Sequence, residues 1–152
     1  MPYEVRAVAR VTGGRHEVAD DGWAGVVAVI ELAPDVPDEA LIGLDAFSHV
    51  EVVALADRAR DVPPAPWRRR PRDNPAWPDV GVFAQRNKDR PNRLLVSVAR
   101  IVRVTERAIE VEGLDLVAGT PVLDLKPVVA WNAPRGTVRT PSWSDELGAD
   151  YY

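Results

Sequence analysis

The sequence predicts an all-β protein: a small antiparallel β-barrel of about six strands with one short helix and a long Pro/Arg-rich loop. Three observations carry this expectation. Short stretches rich in Val, Ala and Ile alternate with a period of two, turn residues separate them at short intervals, and only one segment carries clear helix start and stop signals.

Tyr3 to Val11 and Trp23 to Leu32 read as strands, the first closed by Gly13-Gly14 and the second by Ala33-Pro34-Asp35. Pro37 to Leu44 reads as the short helix, with proline at its first position, Asp38 and Glu39 in the first turn and Gly43 near its end. Phe47 to Leu55 resumes the β pattern. Between Asp61 and Asp79 stand six of the fourteen prolines together with Trp67 and Trp77, so a long irregular loop is expected there. Leu94 to Val104 and Ala108 to Leu114 alternate on either side of Thr105-Glu106-Arg107, a hairpin pattern. Thr120 to Leu125 completes the strands. The chain is expected to form one domain over residues 1–152, with 128–152, which holds Trp131, Trp143, Tyr151 and Tyr152, as an extension.

Composition removes several function classes. Hydrophobic residues make up 46% and charged residues 28% of 152, the usage of a globular domain. The chain has no cysteine and only two histidines, His16 and His49, which excludes a disulfide framework, a thiolate metal site, a cysteine nucleophile and a multi-histidine metal site. No secretory signal pattern and no apolar run near 18 residues is present, so a cytoplasmic address and no membrane partner are expected. The net charge of −4 hides a strong asymmetry. Between Arg58 and Arg93 ten Lys/Arg face four Asp, a balance of +6, which leaves −10 for the remainder. An anionic ligand is expected to meet the middle of the chain.

That window contains the most informative stretch, Gly81-Val82-Phe83-Ala84-Gln85-Arg86-Asn87-Lys88-Asp89-Arg90-Pro91-Asn92-Arg93. Its guanidinium groups without helical period suit a carboxylate or phosphate, although a solvated loop has the same composition. The run Arg68-Arg69-Arg70-Pro71-Arg72 between Trp67 and Trp77 suits either a lid or partner contact or the tracking of an RNA backbone.

Four blocks in order resemble the tRNA-methyltransferase O family, also called TsaA-like or VirR-like. They are Phe47-Ser48-His49-Val50, Gly81 to Arg86 with Arg90-Pro91-Asn92, Gly113-Leu114-Asp115, and Gly119 to Pro127. The resemblance implies a compact barrel, a homodimer, and S-adenosylmethionine bound at loops near the dimer interface. The best-known members methylate N6 of threonylcarbamoyl-adenosine in tRNA. Carried onto this chain, it assigns cofactor binding to Phe83, Arg86, Arg90, Asn92, Asp115, Leu116 and Lys126, and catalysis to His49 and Asp124.

The residue chemistry agrees with that assignment. The cofactor presents a carboxylate, an ammonium, hydroxyls and an adenine, which call for an arginine fork, an acid and an apolar shelf. Imidazole is the side chain that titrates nearest neutrality, so His49 is the candidate base, with a backbone-bonded core histidine as the alternative. Asp124 and Lys126 are two apart on a strand and share a face, as a ligand pair or as a plain ion pair. Two departures from the family pattern, Leu95 in place of Gly and Ala118 in place of Asp, open alternatives: a tailoring enzyme acting on a small molecule, or a non-catalytic ligand-binding barrel.

Overall fold

The computed structural model describes residues 2–59 and 67–152. Its strands are β1 (Ala9–Gly13), β2 (Val27–Leu32), β3 (His49–Leu55), β4 (Arg68–Arg69), β5 (Val80–Gly81), β6 (Leu94–Val104), β7 (Ala108–Glu112) and β8 (Pro121–Pro127), followed by one α-helix, α1 (Ser142–Gly148).

Six of these form an antiparallel sheet in the order β1-β2-β7-β6-β3-β8, and β8 also pairs with β1 through Ala9↔Val122 and Arg10↔Pro121. Alternation sends every second side chain inward. Val11, Ile30, Val50, Val52, Ile109, Val111, Leu114 and Val122 are the largest fully buried side chains, interleaved with Ala9, Ala28, Ala54 and Ala99. A sheet of six strands encloses little space, so β-branched and alanine side chains fill it. Each fully buried Val, Ile or Leu contributes roughly 1.5–3 kcal/mol.

The expected strands are present with trimmed ends. β1 begins at Ala9 because Tyr3 and Val5 project into solvent, exposed by 88% and 72%. β2 begins at Val27, since Trp23 to Val26 make a turn closed by the Val26 amide on the Trp23 carbonyl, with Gly25 at φ 71°. The β6–β7 hairpin turns where expected, Thr105 bonding Ala108 through both backbone and hydroxyl.

Two expectations are corrected. The segment Pro37–Leu44 makes two 3-10 turns, Asp38–Leu41 and Leu44–Ala46, split by Gly43 at φ 84°, so the helix signals there are too short to nucleate an α-helix. The only α-helix among the described residues lies in the extension, where Pro141, Ser142 and the first-turn Asp145 supply the start signals; the Thr140 hydroxyl donates to Asp145 at 2.6 Å. Of the Pro/Arg loop, residues 60–66 lie outside the described residues. The rest is more ordered than expected, because β4 pairs with β5 through Arg68↔Gly81 and Arg69↔Val80.

One irregularity sets up the site. β6 pairs with β3 along Leu94–Arg100, but β7 reaches only Arg100–Val104. Beyond Glu112 the chain leaves the ladder at Gly113, φ 78°, and crosses the opening as Leu114, Asp115 and Leu116. The first half of β6 therefore lacks a partner on one side.

Candidate functional site

A cavity of about 1150 Å³ opens at that unpartnered half of β6. Besides residues 94–98 of that strand, its lining includes the 83–92 loop, the 115–117 crossing, residues of the 143–152 segment, and parts of 18–23, 56–59 and 69–73.

The loop is held by its own side chains. Gln85, buried to 8% exposure, donates to the carbonyls of Arg69 at 2.9 Å and Val80 at 3.2 Å and accepts from Asn87 Nδ2 at 3.0 Å. Arg90 donates to the Gln85 carbonyl at 2.7 Å. Arg86 Nη2 donates to the Val96 carbonyl at 2.9 Å, tying the loop to the open half of β6. Arg69 bridges Asp89 at 3.0 Å and Asp73 at 3.2 Å. These bonds give the loop a defined shape.

The opposite wall is the segment that follows α1. The amides of Gly22 and Trp23 bond the carbonyls of Asp150 and Tyr151 at 3.0 and 2.8 Å, and Trp77 Nε1 donates to Glu146 at 2.8 Å. The Tyr151 hydroxyl donates to Asp115 Oδ2 at 2.5 Å. Burial and that carboxylate raise the Tyr151 pKa well above the ordinary tyrosine value of 10, so it remains a neutral donor at physiological pH. Burial raises Tyr152 as well; its hydroxyl lies close enough to Ser97 to feel it but leaves the Ser97 Oγ without a hydrogen-bond partner. Arg72, which also borders the cavity, grips Asp21 with both guanidinium nitrogens at 2.9 and 2.6 Å and holds that carboxyl below its usual range.

Four buried polar side-chain atoms lack a partner among the described residues: Asn87 Oδ1, Ser97 Oγ, Asp115 Oδ1 and Trp23 Nε1. All four belong to residues of this cavity. An unmet buried polar group costs about 1–3 kcal/mol, and the four belong to residues grouped around one space. Asp115 Oδ1 and Asn87 Oδ1 accept only, and Ser97 Oγ can accept, which suits a ligand bearing an ammonium and hydroxyls. Arg86 and Arg90 offer cationic donors at the rim, and Leu116 and Phe83 give apolar surface. S-adenosylmethionine fits this donor and acceptor set.

The cavity brings together six of the nine residues expected from sequence: Phe83, Arg86, Arg90, Asn92, Asp115 and Leu116. His49, Asp124 and Lys126 do not line it. On β3 the inward side chains are Val50, Val52 and Ala54, so His49 faces outward, its Nδ1 2.7 Å from the Ser48 hydroxyl. Asp124 and Lys126 lie on the adjoining outer face of β8, opposite Val53 and Glu51, and form an ion pair at 2.6 Å that raises the Lys126 pKa. They share a face, as their spacing requires.

Leu95 packs against the core cluster and also borders the cavity. Ala118 is buried, its amide bonded to the Arg15 carbonyl and its carbonyl to Arg58. Sequence reasoning missed Asn87, Ser97, Trp23 and Tyr151. Asn87 lay inside the quoted block between two arginines and went unread; the others carry no local signal of a shared cavity.

The Arg68–Arg72 run is consumed within the protein. Arg68 pairs with Asp79 at 2.6 Å, Arg69 with Asp73 and Asp89, and Arg72 with Asp21, while Arg70 donates to the Trp77 carbonyl at 2.6 Å. Among the described residues no helix is long and apolar enough to cross a membrane, and no cluster of His, Asp or Glu is placed to hold a metal ion.

Residues 20–132 match the model of the tRNA-methyltransferase O N-terminal domain. The human tRNA (adenine(37)-N6)-methyltransferase is 34% identical over 103 residues, covering 67% of this chain and 23% of that protein. A protein of Rhizobium radiobacter named as a probable S-adenosyl-L-methionine-binding protein, VirR, is 35% identical over 101 residues, 66% of this chain and 54% of its own length. A crystal structure of TrmO from Pseudomonas aeruginosa superposes with a TM-score of 0.73 at 29% identity, covering 91% of this chain and 61% of that one. The chain spans less than two thirds of the length of each of these relatives.

Proposed function

The chain belongs to the tRNA-methyltransferase O N-terminal domain family, and on that premise we propose that it is an S-adenosylmethionine-dependent methyltransferase acting on an adenosine of tRNA. The observation that carries this reading is the convergence of all four unmet buried polar atoms on one cavity rimmed by Arg86, Arg90 and Asp115. When bound, the cofactor supplies an activated methyl group for in-line displacement, so the protein's work is placement and exclusion of water. Asp115 Oδ1, Asn87 Oδ1 and Ser97 Oγ would accept from the cofactor's ammonium and hydroxyls, Arg86 and Arg90 would face its carboxylate, and Leu116 and Phe83 would give its apolar parts a shelf.

The β1–β8 pairing supports the reading of the sheet as a closed barrel, with residues 1–152 as one domain and 128–152 as an extension that folds back on it. A homodimer is supported by the outer face of β6, where Leu94, Val96 and Val98 stay 41%, 42% and 46% exposed in a row. Across the sheet Val96 is followed by Val53 and then Asp124, and Val98 by Glu51 and then Lys126. In such a dimer His49, Asp124 and Lys126 form the polar border of the interface, the position from which they would act at a partner's cavity. A cytoplasmic location accompanies a tRNA acceptor.

The test is calorimetric titration with S-adenosylmethionine and with its demethylated product. Saturable binding that Arg86→Ala weakens by tenfold or more supports the reading, and no binding at millimolar ligand overturns it. The self-paired Arg68–Arg72 run favours a second reading, in which the acceptor is a small molecule. Retardation of bulk tRNA that falls steeply with salt supports tRNA, and its absence at low salt supports the small acceptor.

A further inference from the structure

We propose that Tyr151 is a positioning residue of the cavity: its hydroxyl fixes the Asp115 carboxylate at the cavity wall through Oδ2 and leaves Oδ1 as the oxygen with no partner, the one a cationic or hydroxyl-bearing ligand would engage. The proposal rests on the cofactor reading above and adds to it a residue from outside the stretch that matches the family, residues 20–132.

The geometry is specific. Asp115 has two carboxylate oxygens: Oδ2 accepts from Tyr151 at 2.5 Å, and Oδ1 is buried without a partner. A carboxylate held by one oxygen cannot rotate freely, so its second oxygen keeps a fixed direction and loses less entropy when a ligand donor reaches it. Tyr151 is itself fixed. Its carbonyl accepts from the Trp23 amide, the preceding Asp150 carbonyl accepts from Gly22, and its ring meets that of Tyr152 edge to face at 5.0 Å. Neutral at physiological pH, it donates without competing for the ligand's charge.

The same segment could instead plug the cavity. One observation favours a wall. A cavity of about 1150 Å³ remains with the segment in place, above the usual range for small-ligand sites.

The experiment is a double-mutant cycle read by calorimetric titration with S-adenosylmethionine, using Tyr151→Phe, Asp115→Asn and the pair, each checked for its thermal midpoint without ligand. Tyr151→Phe keeps the ring and removes only the hydroxyl. It is expected to weaken binding roughly five- to tenfold with little change in midpoint, and the Asp115→Asn loss is expected to shrink in its background. Equal affinity of wild type and Tyr151→Phe overturns this proposal and leaves the cofactor reading standing. Strictly additive losses overturn it too, as does tighter binding by Tyr151→Phe, the mark of a plug. Failure of the wild type to bind at all overturns the cofactor reading first, and this proposal falls with it.

Discussion

The two halves of β6 solve opposite problems with one strand. From Arg100 to Val104 the strand is paired on both sides at its start and with β7 except at Val102, where the register shifts, and its outward arginines meet cross-strand acids, Arg100 with Glu112 and Arg103 with Glu110. From Leu94 to Ala99 it is paired on one side only, its outward residues are apolar, and its inward face carries a buried serine with no partner. One half is complete as it stands. The other is complete only with something beside it, and the cavity lies there. The lesson is that this site is made where a ladder stops, since an interrupted ladder frees both wall and polar atoms without opening the core.

The largest effect expected is on the completed side. Ile109 is fully buried opposite Ile30, and Ile109→Ala should cost about 3 kcal/mol by lost burial and a residual cavity. Denaturant unfolding checks it. With ligand present, the mutant's affinity should match wild type under conditions where both are folded. A comparable loss from a binding-neutral surface change would dissolve the contrast between the halves.

The open half should respond in the reverse sense. Ser97→Ala removes an unmet buried hydroxyl, so the ligand-free protein should be unchanged or more stable by up to about 1 kcal/mol. Its affinity for S-adenosylmethionine should fall roughly threefold to fivefold. Unfolding and titration on the same sample give both signs. Equal losses of stability and affinity would make Ser97 an ordinary packing residue and the cavity a packing defect.

A smaller effect tests the charged border of the completed half. Arg100 and Glu112 are paired but Arg100 is 55% exposed, so solvent screens the pair and Arg100→Ala should cost less than about 1 kcal/mol. Ligand affinity should not move. A measured change in binding would mean that the two halves communicate along the strand.

What was legible in the sequence follows the same division. Alternation exposed β3, β6 and β7 because each buries every second residue, and it overran β1 because Tyr3 to Ala7 continue the pattern outside the ladder, with Tyr3 and Val5 exposed. The short blocks around Arg86, Arg90 and Asp115 supplied the cavity rim, since local chain segments build that part. Alternation showed that Asp124 and Lys126 share a face but not which one; that depends on the β3–β8 register, with its shift between Val53 and Ala54. The sequence places Tyr151 only within the extension, because it reaches Asp115 across 36 residues, and no period links an irregular crossing to a segment beyond a helix.

The least of the expected effects isolates that distant contact by pH. The Tyr151 pKa lies above the ordinary value of 10, because burial and Asp115 both oppose the tyrosinate. A group raised in the folded state stabilises fully below its unfolded value and loses that contribution as pH rises through its folded value. The stability difference between wild type and Tyr151→Phe should therefore be constant from neutrality to about pH 9. It should shrink only in strong alkali, where a late tyrosinate absorbance present in wild type is missing from the mutant. If the tyrosinate step that the mutant lacks appears in wild type near the ordinary value of 10, the Tyr151 hydroxyl is free in solution. The open half of β6 then loses the wall that the last residues supply and keeps the 83–92 loop and the 115–117 crossing beside it.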